Sequence, residues 1–569
     1  LIGVDPLFPV LGSALMGSKS VPAIASSFAT LTASPSMSRN FTTAVLFFVA
    51  AFAADARADV VTDWAAVLRD VMQTDGEFNT PPLANPGWST RTMAMAHGAI
   101  YDAFQAVNRT HRPFLSFRSD AAASAEAAAA QAAYELILDC YPLRNDILLP
   151  ALNSTLASVS DVSARNSGIA LGHQIAQDYM AARLGDGSAP NLIVWPEGTL
   201  PGEWRSPDPM NPQTAWGPTW GAVKPFAYAD NSQFPNVPGT PPLNSPEYTA
   251  AFNQVKEWGA VNSPSRLAED TDGDDFEPTK IGLFWAYDRP KMGPPPVMFL
   301  TNLEQIAEAI GAPAAENARL FALTTIAQAD AATAAWDIKF DRNFWRPISA
   351  IRLGGAGGPG EVGGDTNVDT VGDPGWTPLG APGSDPLSSA DDFTPPFPAY
   401  TSGHATMGGA VFKAIELFFD TNDFLAADQK YPGDVDTSEY TLTSQEAGSG
   451  SPRTYVRFTQ EGLLDIGTEN SPEGENGMSR IYLGIHWIFD QKDGIALGNE
   501  IAQHVFDNNF QAVPEPSAFV LALIGLLATG AIARRFADRR WPTVVGDRAK
   551  CVAEKNRTLA RAGGSPEPS

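Results

Sequence analysis

The chain holds six histidines, at positions 97, 111, 173, 404, 486 and 504. Two of them sit where chemistry could be done. His404 closes the run Pro398-Ala399-Tyr400-Thr401-Ser402-Gly403-His404, where a helix is predicted to begin. Free backbone N–H groups and the positive end of the helix dipole would face whatever lies at Ser402-Gly403. Such a terminus holds anions well; Gly403 lets the backbone come close and Ser402 adds a hydroxyl donor. An ordinary capped helix start has the same residues. His486 belongs to Ser479-Arg480-Ile481-Tyr482-Leu483-Gly484-Ile485-His486-Trp487, with Asp490 four residues on. Asp490 could accept from one ring nitrogen and fix the tautomer. On an unbroken helix Arg480 and His486 would lie about 240° apart. They converge only if the helix ends or bends, and Gly484 is the natural place for it. A third group, Lys339 with Arg346 and Pro347, lies in a segment rich in Trp and Phe. Seven residues make almost two turns, so these cations are expected on one helical stripe roughly 10 Å apart, clamping a tetrahedral anion from both ends. The bland alternative is a solvated basic face, against which the aromatic residues argue. His97, His173 and His504 fall in amphipathic helices and read as packed or surface imidazoles; His111 reads as a polar-loop residue without companions.

Together these groups supply Lys339, Arg346 and Arg480 for charge, Ser402 and Gly403 for hydrogen bonds, and two histidines. They stand out against the whole chain, in which 38 basic and 64 acidic residues give a net charge of −26 over 569 residues. Such a field repels nucleic acid and anionic membrane surfaces, so neither is an expected partner. It would also repel an anionic ligand unless cations were concentrated at one site, so the cluster reads as a built anion pocket. Cys140 and Cys551 are the only cysteines, which excludes a disulfide framework and any cysteine-based metal site. Asp270-Thr271-Asp272-Gly273-Asp274 looks loosely like a calcium loop but lacks the downstream glutamate, and is read as a solvated acidic loop.

The elements that must position these residues read as all-α, one or two helical bundles with long Gly/Pro-rich loops. Met93, Ala96, Ile100, Phe104 and Val107 recur at helical steps. Further helices are predicted over 120–140, 164–183, 246–259, 298–310, 314–337, 403–419 and 490–510. The Pro-, Gly- and Trp-rich stretch 186–245 should pack over the core as an extended loop. Residues 353–395 have no helical period, and 430–457 read as loop with some strand character. The body is placed at 59–512, with N-terminal helices and loop in 59–245 and the candidate site residues in 246–512.

The ends read as addresses. Met37 opens a positive n-region, an apolar run from Ala44 to Ala54 and an A-x-A site at Ala56-Arg57-Ala58, the pattern of a secretory signal peptide over 37–58. Residues 1–36 are then expected to add nothing to the mature protein. Val513-Pro514-Glu515-Pro516-Ser517 precedes an apolar run, 518–533, and then Arg534-Arg535 and Arg539-Arg540. This tripartite segment, 513–540, resembles a PEP-CTERM sorting signal, which implies an exosortase-type partner. It departs from that pattern in carrying a further tail, 541–569, read as disordered; a plain C-terminal membrane anchor is the alternative. Either reading exports the body to the periplasm, cell surface or medium.

Lys339-(six residues)-Arg346-Pro347, then Ser402-Gly403-His404, then Ser479-Arg480-(five residues)-His486-(three residues)-Asp490 resembles the three-part signature shared by vanadium-dependent haloperoxidases and type-2 phosphatidic acid phosphatases. The ordered blocks span 339–490, and Ala94 to Ala103 also looks like the haloperoxidase branch. Thr401 departs from the phosphatase form, which usually has Pro there. The resemblance implies that His486 coordinates vanadate, that Lys339, Arg346, Arg480, Ser402 and the Gly403 N–H hold its oxygens, and that His404 is the general acid–base. Hydrogen peroxide would be activated on the Lewis-acidic metal and halide would attack it to give hypohalous acid. Trp336 and Phe397 match positions lining the halide side of chloroperoxidase-like members. The phosphatase alternative puts phosphate in the same cradle, with a phosphomonoester attacked by His486 and the leaving alkoxide protonated by His404. A non-enzymatic surface oxyanion-binding protein is the third reading. Asp288, in Phe284-Trp285-Ala286-Tyr287-Asp288, could support the site by pairing with one of its arginines.

Overall fold

The computed structural model describes residues 59–514 apart from 76–85, 190–192, 208–213, 235, 273–275, 288–291, 355–363, 382–393, 431–438, 460–463, 465 and 467–470. The expectation of an all-α fold holds among the described residues, with fifteen α-helices and one two-stranded hairpin. The first five helices are α1 (Val60–Asp75), α2 (Pro86–Asn108), α3 (Ala125–Cys140), α4 (Asn145–Ser158) and α5 (Val162–Arg183). Beyond the long loop come α6 (Pro246–Trp258), α7 (Pro264–Glu269), α8 (Pro278–Phe284), α9 (Pro296–Ile310) and α10 (Ala314–Arg342). The last five are α11 (Pro347–Leu353), α12 (Gly403–Phe419), α13 (Phe424–Lys430), α14 (Pro472–Tyr482) and α15 (Ile488–Asn508).

Helices α2 and α10 form the spine. Every residue from Ser89 to Ala106 and from Leu320 to Trp336 is buried, so both helices are covered on all sides. Alanine fills much of each, which lets neighbouring helices approach closely. α2 packs against α10 and α3, α3 against α5, and α10 against α12 and α15. The predicted loop over 186–245 does lie on the core, with two short 3-10 turns, Trp220–Ala222 and Asn231–Gln233. Asp330 of α10 pins it by accepting from the N–H groups of Phe226 (2.6 Å) and Ala227 (2.8 Å). The strand character within 430–457 is the antiparallel pair β1 (Tyr440–Leu442) and β2 (Arg453–Tyr455), in register Tyr440 to Tyr455.

Two local expectations are corrected. His111 has companions: it bridges to Ala512, and its N–H donates to Gln105 Oε1 at 2.8 Å. Asp270 is not merely solvated: it accepts from the Thr279 N–H at 2.9 Å and pairs with Arg266 at 3.8 Å, fastening α7 to α8. The segments read as signal peptide, apolar run and basic tail (37–58 and 515–569) lie outside the described residues, as does Cys551. Among the described residues no helix is long and apolar enough to cross a membrane.

The α12–α15 crossing sets the spacing between the two histidine segments, because α12 starts with Ser402-Gly403-His404 and α15 comes directly after His486. Glycine makes the crossing close. A Cβ on Gly498 would lie 2.2 Å from the Thr406 carbonyl oxygen and 2.7 Å from the Ala410 nitrogen. One on Gly494 would lie 3.1 Å from the Ser402 carbonyl oxygen. The obstacles at Gly498 are backbone and cannot rotate away. Gly498→Ala should therefore destabilise the fold by roughly 2–4 kcal/mol. Denaturant unfolding checks this, and a change near zero contradicts the close crossing.

Candidate oxyanion-binding site

Three cationic side chains, each at most 1% exposed, converge beneath a cleft: Lys339, Arg346 and Arg480. Their route there differs from the single helical stripe expected for Lys339 and Arg346. α10 ends at Arg342, and Asn343 turns the chain with φ +48°. Arg346 is then the N-cap residue of α11. A chain reversal, not helical period, brings the two heads together. Lys339 Nζ donates to the carbonyls of Pro398 (3.0 Å) and Ala399 (2.9 Å). Arg346 Nε donates to the Phe397 carbonyl (2.8 Å) and Nη1 to that of Ile485 (2.9 Å). Phe397 offers its ring to both cations, 5.2 Å from Lys339 Nζ and 4.8 Å from the Arg346 guanidinium carbon. Arg480 donates through Nη2 to the Trp285 carbonyl at 2.6 Å.

The expected break at Gly484 is present. α14 stops at Tyr482, Gly484 has φ +71°, and α15 begins at Ile488. The turn brings His486 back towards the cations: Nε2 lies 2.8 Å from Arg346 Nη1, while Nδ1 lies 2.8 Å from Asp490 Oδ2. Arginine can only donate, so Nε2 must carry the lone pair and the proton sits on Nδ1, pointing at the carboxylate. The same Asp490 oxygen accepts from the Trp487 N–H (3.2 Å), and the Asp490 carbonyl accepts from the Ser402 N–H (3.1 Å). Asp490 thus ties the His486 turn to the start of α12. At that start Ser402 is the N-cap residue, its Oγ accepting from the Ala405 N–H at 3.4 Å. A Cβ on Gly403 would come within 3.0 Å of Trp336 and 3.7 Å of Lys339 Cε. His404, partly exposed to the cleft, accepts through Nε2 from Arg480 Nη1 at 3.2 Å.

The cleft, enclosing about 460 Å³ of space including its open mouth, is lined by Trp336, Phe397, Gly403, His404, Arg480 and His486, with Trp216 and several prolines around them. Lys339, Arg346 and Ser402 stand behind that wall. His97 is elsewhere, fully buried against Phe321, and burial pushes its pKa down to about 3. His173 is exposed and paired with Glu135. Asp288 lies outside the described residues. Its neighbours Trp285 and Ala286 do face the site, but through their carbonyls, where a carboxylate had been expected. Asn476, whose amide donates to the His404 carbonyl at 2.9 Å, was not foreseen either. A main-chain acceptor leaves no residue-type signal in a sequence.

Electrostatics follow from burial. Burial first, and then Arg346, hold Lys339 well below the usual lysine range, with Asp490 opposing them. His486 is lowered by burial and then by Arg346, Lys339 and Arg480. His404 is lowered by burial and by Arg480, against the Ala286 and Trp285 carbonyls. Burial raises Asp490. The empty cradle therefore disfavours further positive charge, and entering negative charge relieves this. A bound oxyanion stabilises the charged forms of Lys339 and His404, so their pKa values must rise on binding. Calorimetry in buffers of different ionisation enthalpy should show net proton uptake near neutral pH when orthovanadate or phosphate binds; net release contradicts this reading of the cradle.

Residues 319–514 match the model of the VCPO second helical-bundle domain. The chain is 27% identical over 484 residues to the vanadium chloroperoxidase of Curvularia inaequalis, covering 72% of this chain and 75% of that one. Its fold is similar to that of a bacterial vanadium-dependent iodoperoxidase (TM-score 0.58, 22% identity, 79% of this chain and 96% of that one). A holo-type bacterial vanadium-dependent chloroperoxidase also aligns (TM-score 0.51, 14% identity, 80% and 98%). The helical architecture is thus that of the vanadium haloperoxidases, and Lys339, Arg346, Ser402, Gly403, His404, Arg480 and His486 all lie within the segment that matches their second helical bundle.

Proposed function

We propose that this chain is a vanadium-dependent haloperoxidase-like enzyme that oxidises halide with hydrogen peroxide to hypohalous acid. The observation carrying the proposal is the His486 Nε2 lone pair, held inside a cradle of three buried cations by the Asp490 bond at Nδ1. The matching family domain and the similarity to vanadium chloroperoxidase support it.

The residues present fit vanadate. A tetrahedral oxyanion needs compensating charge, hydrogen-bond donors and one basic atom towards the metal. Lys339, Arg346 and Arg480 would supply the charge, the Ser402 hydroxyl and Gly403 N–H the further donors, and His486 Nε2 the basic atom. When bound, vanadate supplies Lewis-acid activation of hydrogen peroxide without changing its own oxidation state. Asp490 keeps His486 in the tautomer that offers Nε2. His404, neutral in the resting site, takes and returns a proton at Nε2 as general acid–base. Trp336 and Phe397 give the cleft an apolar wall on the halide side, where a weakly hydrated halide loses little on leaving water.

A second reading rests on the same lone pair. His486 Nε2 is equally placed to attack phosphorus, so a phosphatase acting through a phospho-histidine is the alternative, with His404 protonating the leaving alkoxide. Export of the body is also part of the proposal, supported by the composition of 37–58 and of the tail 513–540, with an exosortase-type enzyme acting on that tail.

The assays separate these readings. Orthovanadate-loaded protein should brominate a dye with peroxide, and His404→Ala should lower turnover by roughly 10²–10⁴ while leaving vanadate bound. His486→Ala should weaken vanadate retention. Hydrolysis of an aryl phosphate without vanadate, and no halogenation with it, rejects the haloperoxidase reading. Tight oxyanion binding with neither activity rejects both enzymatic readings.

A further inference from the structure

The catalytic wall of the cleft is held from behind by a second polar assembly. Glu475, on α14 one and a half turns before Arg480, is 2% exposed. Its carboxylate accepts from Arg453 through Nε (2.7 Å) and Nη2 (2.5 Å), and from the Tyr455 hydroxyl (2.8 Å). Both partners come from strand β2. The same carboxylate accepts the indole N–H of Trp285 at 3.4 Å. Trp285 is fully buried, with its ring edge-on to Phe412 of α12. At its other end the Trp285 carbonyl accepts from Arg480 Nη2 at 2.6 Å. The same guanidinium donates through Nη1 to His404 Nε2 at 3.2 Å, and the carbonyls of Trp285 and Ala286 favour the protonated His404 ring. Since His404 Nε2 accepts from Arg480, the ring proton sits on Nδ1.

We propose that Glu475, clamped by Arg453 and Tyr455, is a positioning residue that acts through Trp285 to aim both Arg480 and His404 into the cleft. The physical case is one of constraint. Residues 285–286 lie just beyond the short helix α8, and Tyr287 has φ +45°, so no helical ladder fixes the direction of these carbonyls. The buried indole fixes it, and a ring alone could rotate or slide in its packing. The bond from the indole N–H to an ionised carboxylate removes that freedom, and the bidentate arginine fixes the carboxylate in turn. The hairpin β1–β2, remote from the cleft lining, thereby reaches the acid–base residue through four hydrogen bonds in series, the last two through Arg480.

This inference rests on the proposed function for its kinetic consequence but not for its structural one, and the test reads both. Trp285→Phe, in the full chain, keeps a buried ring and deletes the indole N–H; Glu475→Gln keeps the volume and removes the charge. In each, ¹⁵N shifts of the His404 ring, assigned against His404→Gln, should change from one tautomer to a mixture. Vanadate affinity should fall only a few-fold, because Lys339, Arg346 and His486 keep their own partners, and the melting temperature of Trp285→Phe should shift only slightly, while kcat falls roughly tenfold with the peroxide KM little changed. A single unchanged His404 tautomer in both variants overturns the proposal, whatever the activity. A tautomer change in a protein that does not halogenate supports the positioning role and refutes the haloperoxidase reading instead. Equal loss of stability and vanadate affinity in Trp285→Phe without a tautomer change reduces Trp285 to a packing residue and also overturns it.

Discussion

The structure depends on a repulsion that it has to contain. Lys339, Arg346 and Arg480 are brought out of water and towards one another, an arrangement that costs several kcal/mol per charge if nothing answers it. Most of what answers it is main chain. The carbonyls of Pro398, Ala399, Phe397, Ile485 and Trp285 each accept from one of the three heads, and the Phe397 ring lies against two of them. These acceptors carry partial charge, so they hold the cations in place without neutralising them. The residual positive field is left for an anion, and it would let a chain of net charge −26 hold one.

Holding carbonyls in those directions requires irregular backbone at depth, and the helices exist around that requirement. Segment 397–402 belongs to no helix or strand and bends into the start of α12, and the turn at 483–487 interrupts what would be one long helix. The two are joined where Asp490 accepts the Ser402 N–H. Pro86, Pro295 and Gly403, at the N-terminal ends of α2, α9 and α12, all line the cleft, so three helix dipoles point their positive ends at it. The close approach of α12 and α15 at glycine then fixes the distance between the His404 and His486 segments.

Much of this was legible in the sequence because the relevant residues are of rare type. Cations embedded among Trp and Phe, and a His four residues before an Asp, are conspicuous by kind and spacing. The helix at Gly403–Phe419 and the break at Gly484 were equally plain, since apolar period and a permissive glycine mark them. The path between Lys339 and Arg346 was not. Continuing a helix through Asn343 agrees with its local pattern, and only tertiary contacts select the left-handed turn there. Helix α14 is legible only at its C-terminal end, by Gly484; its start is not, because all eleven of its residues are buried, Glu473 and Glu475 included, leaving no alternation of polar and apolar faces. The Glu475–Trp285 link joins residues 190 positions apart through one side-chain atom at each end, and no local signal carries such a pairing.

The most direct test is a crystal structure of the protein grown or soaked with orthovanadate. The expected result is a single vanadium atom bonded to His486 Nε2, with its oxygens received by Lys339, Arg346, Arg480 and the start of α12. Vanadium found elsewhere, or His486 turned so that Nε2 faces Asp490 while the three cations keep to their carbonyls, would contradict it.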